Sequence, residues 1–259
     1  MRVIRGSLFV IAMALMNTVC AAPGDVGVVL MHGKTGTPER VIDRLAYELR
    51  DKGYLVSTPV MPWSQGRLYD RTFEEALTEI DLEVEGLRSK GAKKILIAGQ
   101  SLGANVALGY AAARPSVDGV IALAPAHSPE SPRFREARAG DIKRARELIA
   151  SGNISQKERF TDVNMGRSFP VIVTPGVYLS WFDPDGPAVM PKSAAAIKQP
   201  IPMLFVIGSR DPNAQPKDYV FDKAPSHPKS RYITVPAGHL EVVSASVAEV
   251  ISWIVSLGY

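Results

Sequence analysis

The stretch KILIAGQSLGAN, residues 94–105, joins an apolar run to an alanine-rich helical pattern through a serine flanked by glycines. Its centre, Gly99 to Gly103, fits the pattern G-x-S-x-G, in which a strand turns sharply into a helix. Such a turn strains its central residue and brings strand and helix too close for side chains at the two glycines. The pattern predicts that Ser101 stands out above a sheet and that the N–H of Leu102 is free to bind an anion. The alternative is a serine that only caps a helix.

Short apolar runs alternate with amphipathic helical patterns along most of the chain. Predicted strands cover residues 26–31, 54–58, 94–98, 117–124, 203–207 and 232–235. Predicted helices begin at Thr37-Pro38, near Phe73, near Leu102 and near Val243. This alternation builds a parallel sheet covered by helices on both faces. The predicted fold class is therefore α/β, with a mostly parallel, doubly wound sheet.

The alternation fails between residues 125 and 199, which contain several prolines, one helical stretch at 142–149 and a group of aromatic residues. A long irregular segment inside a compact domain is usually functional. We interpret it as a cap or lid insertion that follows the strand after the serine-bearing helix. Its aromatic residues and methionines, including Tyr178, Trp181, Phe182 and Met190, suit either an apolar substrate group or an ordinary core.

The N-terminal 21 residues have the pattern of a signal peptide. Arg2 and Arg5 precede an apolar run at 8–16, and small residues around Cys20 and Ala21 form a cleavage site. The run is too short for a stable membrane span. We expect cleavage after Ala21 and export to the periplasm or the medium, and the alternative is a lipoprotein anchored at Cys20. The remaining residues, 22–259, are predicted to form a single domain. Cleavage after Ala21 would leave no cysteine, which would exclude disulfides and thiolate chemistry.

Composition limits the kinds of protein and of binding partner that the chain is expected to have. The chain is 46% hydrophobic and 22% charged, and its formal net charge is +4, so it is an ordinary globular protein. The one basic stretch, 143–146, fits a solvated helix face, and we predict no nucleic-acid partner. The sequence contains no motif in which metal-ligating residues have the spacing of a metal site, and we predict no cofactor. The oligomeric state is left open.

A serine hydroxyl needs a base to act as a nucleophile, and the base needs a partner that fixes its tautomer. His239 follows the last predicted strand, at the sheet edge where ligands bind in α/β proteins. Asp211 follows the preceding strand and is the predicted acid. The rival histidines are His127, which could touch substrate, and His227, in a surface turn; the rival acids, Asp183 and Asp185, lie in the cap.

The order Ser101, Asp211, His239 resembles the α/β-hydrolase family, whose triad follows this chain order. The resemblance covers essentially all of residues 22–259. It extends to the turn His32-Gly33-Lys34, similar to the family's H-G-x motif. This resemblance implies that the N–H groups of Lys34 and Leu102 form the oxyanion hole and that His32 and Gly33 support the turn. The tail Gly33-Lys34-Thr35 also looks like a phosphate-binding loop, but the glycine required five residues earlier is Val28.

The resemblance implies a serine hydrolase that acts on a small-molecule ester or thioester through an acyl-enzyme. An amidase or peptidase of the same fold, and a catalytically silent binding protein, are the alternatives. Trp63 and Trp181 are the predicted lining of the substrate pocket, together with Arg67; packing in the core is the competing interpretation for all three. The natural substrate is left open.

Overall fold

The computed structural model describes residues 22–259, so the predicted signal peptide and Cys20 lie outside the described residues. The strands are β1 Val26–Met31, β2 Leu55–Ser57, β3 Lys94–Gln100, β4 Gly119–Leu123, β5 Glu158–Asn164, β6 Arg167–Val173, β7 Met203–Gly208 and β8 Arg231–Val235. The helices are α1 Asp43–Asp51, α2 Phe73–Ser89, α3 Leu102–Ala113, α4 Pro132–Ala150, α5 Pro175–Phe182, α6 Met190–Ala196, α7 Val242–Ala245 and α8 Val247–Leu257. None of these helices is long and apolar enough to cross a membrane.

Six strands form one sheet in the order β2-β1-β3-β4-β7-β8, and every neighbouring pair is parallel. One buried cluster packs α2, α3 and the segment between β4 and β7 on one face of this sheet. A second cluster packs α1, α7 and α8 on the other face. The predicted doubly wound α/β fold is confirmed. Strand β1 is buried at all six residues, as its uncharged sequence predicts.

Two predicted helices differ from the observed ones. Helix α1 begins at Asp43 and not at Thr37-Pro38, because residues 38–42 form the turns that lead the chain away from the sheet edge. The predicted C-terminal helix is two helices, α7 and α8, separated at Ser246. The Ser246 hydroxyl donates to Val242 O at 2.7 Å, a side-chain to main-chain bond that competes with the helical pattern.

The predicted irregular structure of the cap, residues 125–199, is wrong. This segment contains three helices and an antiparallel hairpin, β5–β6. Pro132, Pro175 and Pro191 lie in the first turns of α4, α5 and α6. Proline is tolerated there because the first helical N–H has no intrahelical acceptor. The prolines therefore mark helix starts in the cap rather than loops.

Candidate active site

The turn between β3 and α3 places Ser101 at the carboxyl edge of the sheet. Ser101 has φ 56° and ψ −117°, a conformation that is strained for a non-glycine residue. A Cβ at Gly99 would lie 2.2 Å from the carbonyl carbon of Gly103, and a Cβ at Gly103 would lie 2.7 Å from the carbonyl oxygen of Met31. Both glycines are thus required by backbone contact, as the sequence pattern indicates.

Ser101, His239 and Asp211 come together in one hydrogen-bonded chain. Ser101 Oγ lies 2.9 Å from His239 Nε2, and His239 Nδ1 lies 2.7 Å from Asp211 Oδ2. The Asp211 side chain is 1% exposed and that of His239 is 7% exposed. Asp211 Oδ1 also accepts from Asn213 N–H at 2.8 Å, which fixes the carboxylate. With the carboxylate ionised, Nδ1 carries the proton and Nε2 is left free to accept one from the serine.

Backbone contacts between two loops hold the acid and the base together. Arg210 N–H, beside Asp211, donates to Ala237 O at 3.0 Å, and Ser209 N–H donates to Val235 O at 2.9 Å. Gly208 allows the close approach, since a Cβ there would lie 2.3 Å from Ala237 O. The two loops follow neighbouring parallel strands, β7 and β8. The sheet itself therefore determines the distance between the acid and the base.

Residues 32–36 lie beside the serine and are here called the oxyanion turn, after the role that the family resemblance implies for Lys34. A Cβ at Gly33 would lie 3.0 Å from Ser101 Cβ and 2.2 Å from Gln100 Oε1. Among residues 22–259, the backbone N–H groups of Lys34 and Leu102 have no hydrogen-bond acceptor. Two free donors therefore lie on the segments that flank Ser101, one in this turn and one at the start of α3.

His32 is a structural part of this turn. Its Nδ1–H donates to Gly33 O at 2.8 Å, its Nε2 accepts from Met61 N–H at 3.1 Å, and its own carbonyl accepts from Trp63 Nε1–H. Burial lowers the pKa of His32, which keeps the ring neutral for these two roles. Both ring nitrogens of His32 are hydrogen-bonded, and these bonds hold the turn against residues 61–63.

Sequence reasoning missed the residues that join the oxyanion turn to the cap. Lys34 Nζ lies 2.9 Å from Asp162 Oδ1, on strand β5. Tyr69 OH donates to Asp162 Oδ2 at 2.9 Å, and Asn164 Nδ2 donates to Thr35 Oγ1 at 2.7 Å. Alternation could have indicated Asp162, because residues two apart on a strand share a face and Phe160 is an evident core residue.

The rival histidines and acids lie outside the hydrogen-bonded chain. His127 is buried and donates from Nε2 to Trp181 O at 2.7 Å. Burial, followed by the charge of Lys34, lowers the pKa of His127 to about 3. His227 contacts only its own loop through Lys229 N–H, and Asp183 pairs with Arg146 in the cap. No cluster of metal-ligating side chains occurs within residues 22–259.

The predicted pocket residues Trp63 and Trp181 belong to the core, and that prediction is wrong for both. Each is 0% exposed, and their rings make an edge contact with centroids 5.6 Å apart. Trp181 Nε1–H donates to Arg71 O, which satisfies its polar atom. Arg67 is engaged by Glu79 through two hydrogen bonds. The other cap residues considered for the pocket are also fully buried, namely Tyr178, Phe182 and Met190.

Comparison with known proteins identifies the same fold in this chain. A family profile described as "Alpha/beta hydrolase family" matches residues 28–252. Among curated proteins, none matches the chain significantly.

Many solved structures resemble the chain. One, from a study of two metagenome-derived lipolytic enzymes, LipS and LipT, has 15% identity and a TM-score of 0.61, with 90% of this chain and 94% of that chain covered. The monoacylglycerol lipase of Paleococcus ferrophilus has 23% identity and a TM-score of 0.60, covering 89% and 94%. Est1E from Butyrivibrio proteoclasticus, solved with ferulic acid bound, has 22% identity and a TM-score of 0.56, covering 89% of each chain. At these identities the likeness shows the fold, and the profile match shows the family: this chain belongs to the alpha/beta hydrolase family and is a hydrolase.

Proposed function

We propose that the protein is a serine hydrolase that cleaves a carboxylic ester or thioester through an acyl-enzyme on Ser101. The observation that carries the proposal is the chain of two short contacts from Ser101 Oγ to His239 and from His239 to Asp211, 2.9 Å and 2.7 Å. A hydroxyl, an imidazole and a buried carboxylate in this order are the parts that nucleophilic acyl transfer requires.

In the proposed first half-reaction, His239 Nε2 takes the Ser101 proton while Oγ attacks the carbonyl carbon of the substrate. Collapse of the tetrahedral intermediate breaks the bond to the leaving alcohol or thiol, which receives the proton from His239. Water then enters, loses a proton to His239 and attacks the acyl carbon, so that the acid leaves and Ser101 is regenerated. Asp211 stays ionised and stabilises the imidazolium in both halves.

The developing oxyanion needs hydrogen-bond donors directed at the oxygen of the substrate carbonyl. We assign this role to the N–H groups of Lys34 and Leu102, which flank the serine on two segments and lack acceptors among the described residues. Each such donor contributes a factor of about 10² to 10³ in rate. The proposal needs no metal ion, because the two amides supply the electrophilic assistance.

Ester and thioester substrates fit the chemistry of neighbouring structures. Lipolytic enzymes, Est1E with ferulic acid bound and a thioesterase domain from the curacin biosynthetic pathway all share this fold with the chain. All are below 25% identical to it, so they suggest the class of bond and leave the acyl group open.

The test is covalent labelling of purified protein with a fluorophosphonate, measured by intact mass, beside turnover of p-nitrophenyl esters of increasing chain length. We expect one adduct on wild type and none on Ser101→Ala. The control Ser244→Ala removes an exposed hydroxyl of α7 that is bonded only to Glu241 O, and it should label like wild type. A folded wild type with neither adduct nor turnover would contradict the proposal and favour the catalytically silent binding protein.

We also propose that the protein is exported and begins at Ala22 after signal cleavage, on the pattern of residues 1–21. Intact mass of the protein recovered from the periplasm or medium measures this directly. A mass that includes residues 1–21, or a lipid on Cys20, would contradict cleavage after Ala21.

A further inference from the structure

A buried ion pair connects the oxyanion turn to the cap. Lys34 Nζ and Asp162 Oδ1 are 2.9 Å apart, and the two side chains are 9% and 0% exposed. Both oxygens of the Asp162 carboxylate accept hydrogen bonds, because Oδ1 also accepts from Val163 N–H and Oδ2 accepts from Tyr69 OH. Burying a charged pair costs desolvation energy that its attraction only roughly offsets, so the pair contributes more to fixed geometry than to stability.

A second contact ties the same turn to the same hairpin. Asn164 Nδ2 donates to Lys34 O at 3.2 Å and to Thr35 Oγ1 at 2.7 Å. Lys34 Nζ also donates to Val163 O at 3.1 Å. Consecutive residues at the end of β5 therefore hold both the side chain and the carbonyl of Lys34.

The oxyanion turn has a conformation that needs such support. Thr35 has φ 54°, in the left-handed region that a β-branched residue rarely occupies. A conformation of this kind costs about 1–3 kcal/mol and persists only where neighbouring groups impose it. The direction of the Lys34 N–H is set by the backbone angles of residues 33–35, so contacts that hold this conformation also hold the donor.

We propose that Asp162 is a positioning residue for the oxyanion hole: by holding Lys34 against the cap hairpin, it keeps the backbone N–H of Lys34 directed at the reacting carbonyl. The inference rests on the proposed function of Ser101. It implies that one oxyanion donor is correctly placed only while the β5–β6 hairpin is docked on the oxyanion turn. The cap thereby takes part in transition-state stabilisation through Lys34.

The test compares Asp162→Asn with wild type in hydrolysis of a p-nitrophenyl ester that wild type cleaves. We expect kcat to fall about 10- to 100-fold with KM changed less than about threefold, because a misplaced oxyanion donor weakens the transition state and not the ground state. Fluorophosphonate labelling should slow by a similar factor. The control is Asp118→Asn, which removes another lysine-paired carboxylate, 2.9 Å from Lys94 Nζ at the opposite end of β3, and should leave kcat unchanged.

A double variant separates positioning from stability. Asp162→Asn alone leaves the Lys34 ammonium buried without its counter-ion, which destabilises the fold. Lys34→Met with Asp162→Asn removes that charge, so the urea midpoint should recover while kcat stays low. If kcat recovers together with stability, the pair is only structural and the proposal is wrong.

If the Asp162 variants do not fold, kcat of Asn164→Ala tests the same proposal. This change removes one tie from the oxyanion turn and leaves the ion pair intact, so we expect a smaller loss of kcat, about three- to tenfold, with KM unchanged. Unaltered kcat in a folded Asp162→Asn, or in Asn164→Ala where the former does not fold, overturns the inference. Failure of wild type itself to label would instead contradict the proposed function.

Discussion

The two halves of the site are held in place by different kinds of contact. Ser101, His239 and Asp211 stand on the carboxyl ends of parallel strands, and backbone hydrogen bonds between adjoining loops fix their spacing. The oxyanion turn is bonded to residues 61–63 and is also held by side chains that reach it from the cap, Asp162 and Asn164. A backbone-built half should tolerate changes in the cap, whereas the half held by side chains should respond to them.

The glycines of the two halves show the same difference. A Cβ at Gly99 would meet backbone atoms of Gly103 and Ala104, which cannot move without moving α3. A Cβ at Gly33 would meet first the end of the Gln100 side chain, which has rotatable bonds. The same added methyl group therefore strains the fold at one position and displaces a side chain at the other.

The largest expected effect is that of Asp211→Asn, in the backbone-built half. The amide retains the shape of the carboxylate but favours the wrong tautomer of His239, so kcat should fall about 10⁴-fold with the urea midpoint nearly unchanged. Steady-state hydrolysis of a p-nitrophenyl ester measures it. Asp183→Asn is the matched control, because Asp183 pairs with Arg146 in the cap and should be dispensable for kcat. Equal losses in the two variants would remove Asp211 from the proposed triad.

Sequence and structure agree best where the chain's own backbone makes the site. The G-x-S-x-G pattern specifies the turn at Ser101 through local sterics, and the position of His239 and Asp211 after successive strands follows from the parallel sheet. The contact of Lys34 with Asp162 joins positions 128 residues apart, and no local pattern encodes such a pairing. The sequence also does not encode the burial of Trp63 and Trp181, because only the packed cap encloses both side chains.

The second prediction compares Gly99→Ala with Gly33→Ala. Because Gly99 faces backbone at 2.2 Å, its substitution should lower the free energy of unfolding by about 3 kcal/mol, at the upper end of overpacking effects. Gly33→Ala should remain folded and lose about 10- to 100-fold in kcat, since the added methyl group lies 3.0 Å from Ser101 Cβ and would crowd the nucleophile. Urea titration and ester hydrolysis of both variants measure the two effects. Equal destabilisation by the two substitutions would contradict the distinction between the halves.

The third prediction concerns acid stability beneath the cap. Burial, and then the charge of Lys34, lowers the pKa of His127 to about 3 from 6.5, with Arg138 acting in the same direction and Asp162 against it. The unfolded chain binds a proton at His127 below pH 6.5 while the folded protein does not, so folding stability falls as the pH drops below 6.5. The loss from this one group between pH 7.5 and pH 5 is about 2 kcal/mol.

His127→Asn should remove that part of the pH dependence, and asparagine suits the positive φ of 75° at this position. Urea unfolding at the two pH values measures the difference for each protein, independently of any constant loss that the variant suffers. His227→Asn, in a surface loop, should keep the wild-type pH dependence. The interpretation is wrong if His127→Asn loses as much stability on acidification as wild type.

The smallest effect is expected at the exposed start of α2. Thr72 Oγ1 accepts from Glu75 N–H at 3.2 Å, and Glu75 Oε2 accepts from Thr72 N–H at 2.7 Å, forming a capping box. Thr72→Ala removes one of these two bonds and should lower the free energy of unfolding by about 1 kcal/mol. Because these capping bonds are exposed and join only Thr72 and Glu75 to each other, kcat should stay within about twofold of wild type. A larger fall in kcat would show that even modest global destabilisation reaches the oxyanion hole, and the losses expected for Asp162→Asn would then need comparison at matched stability.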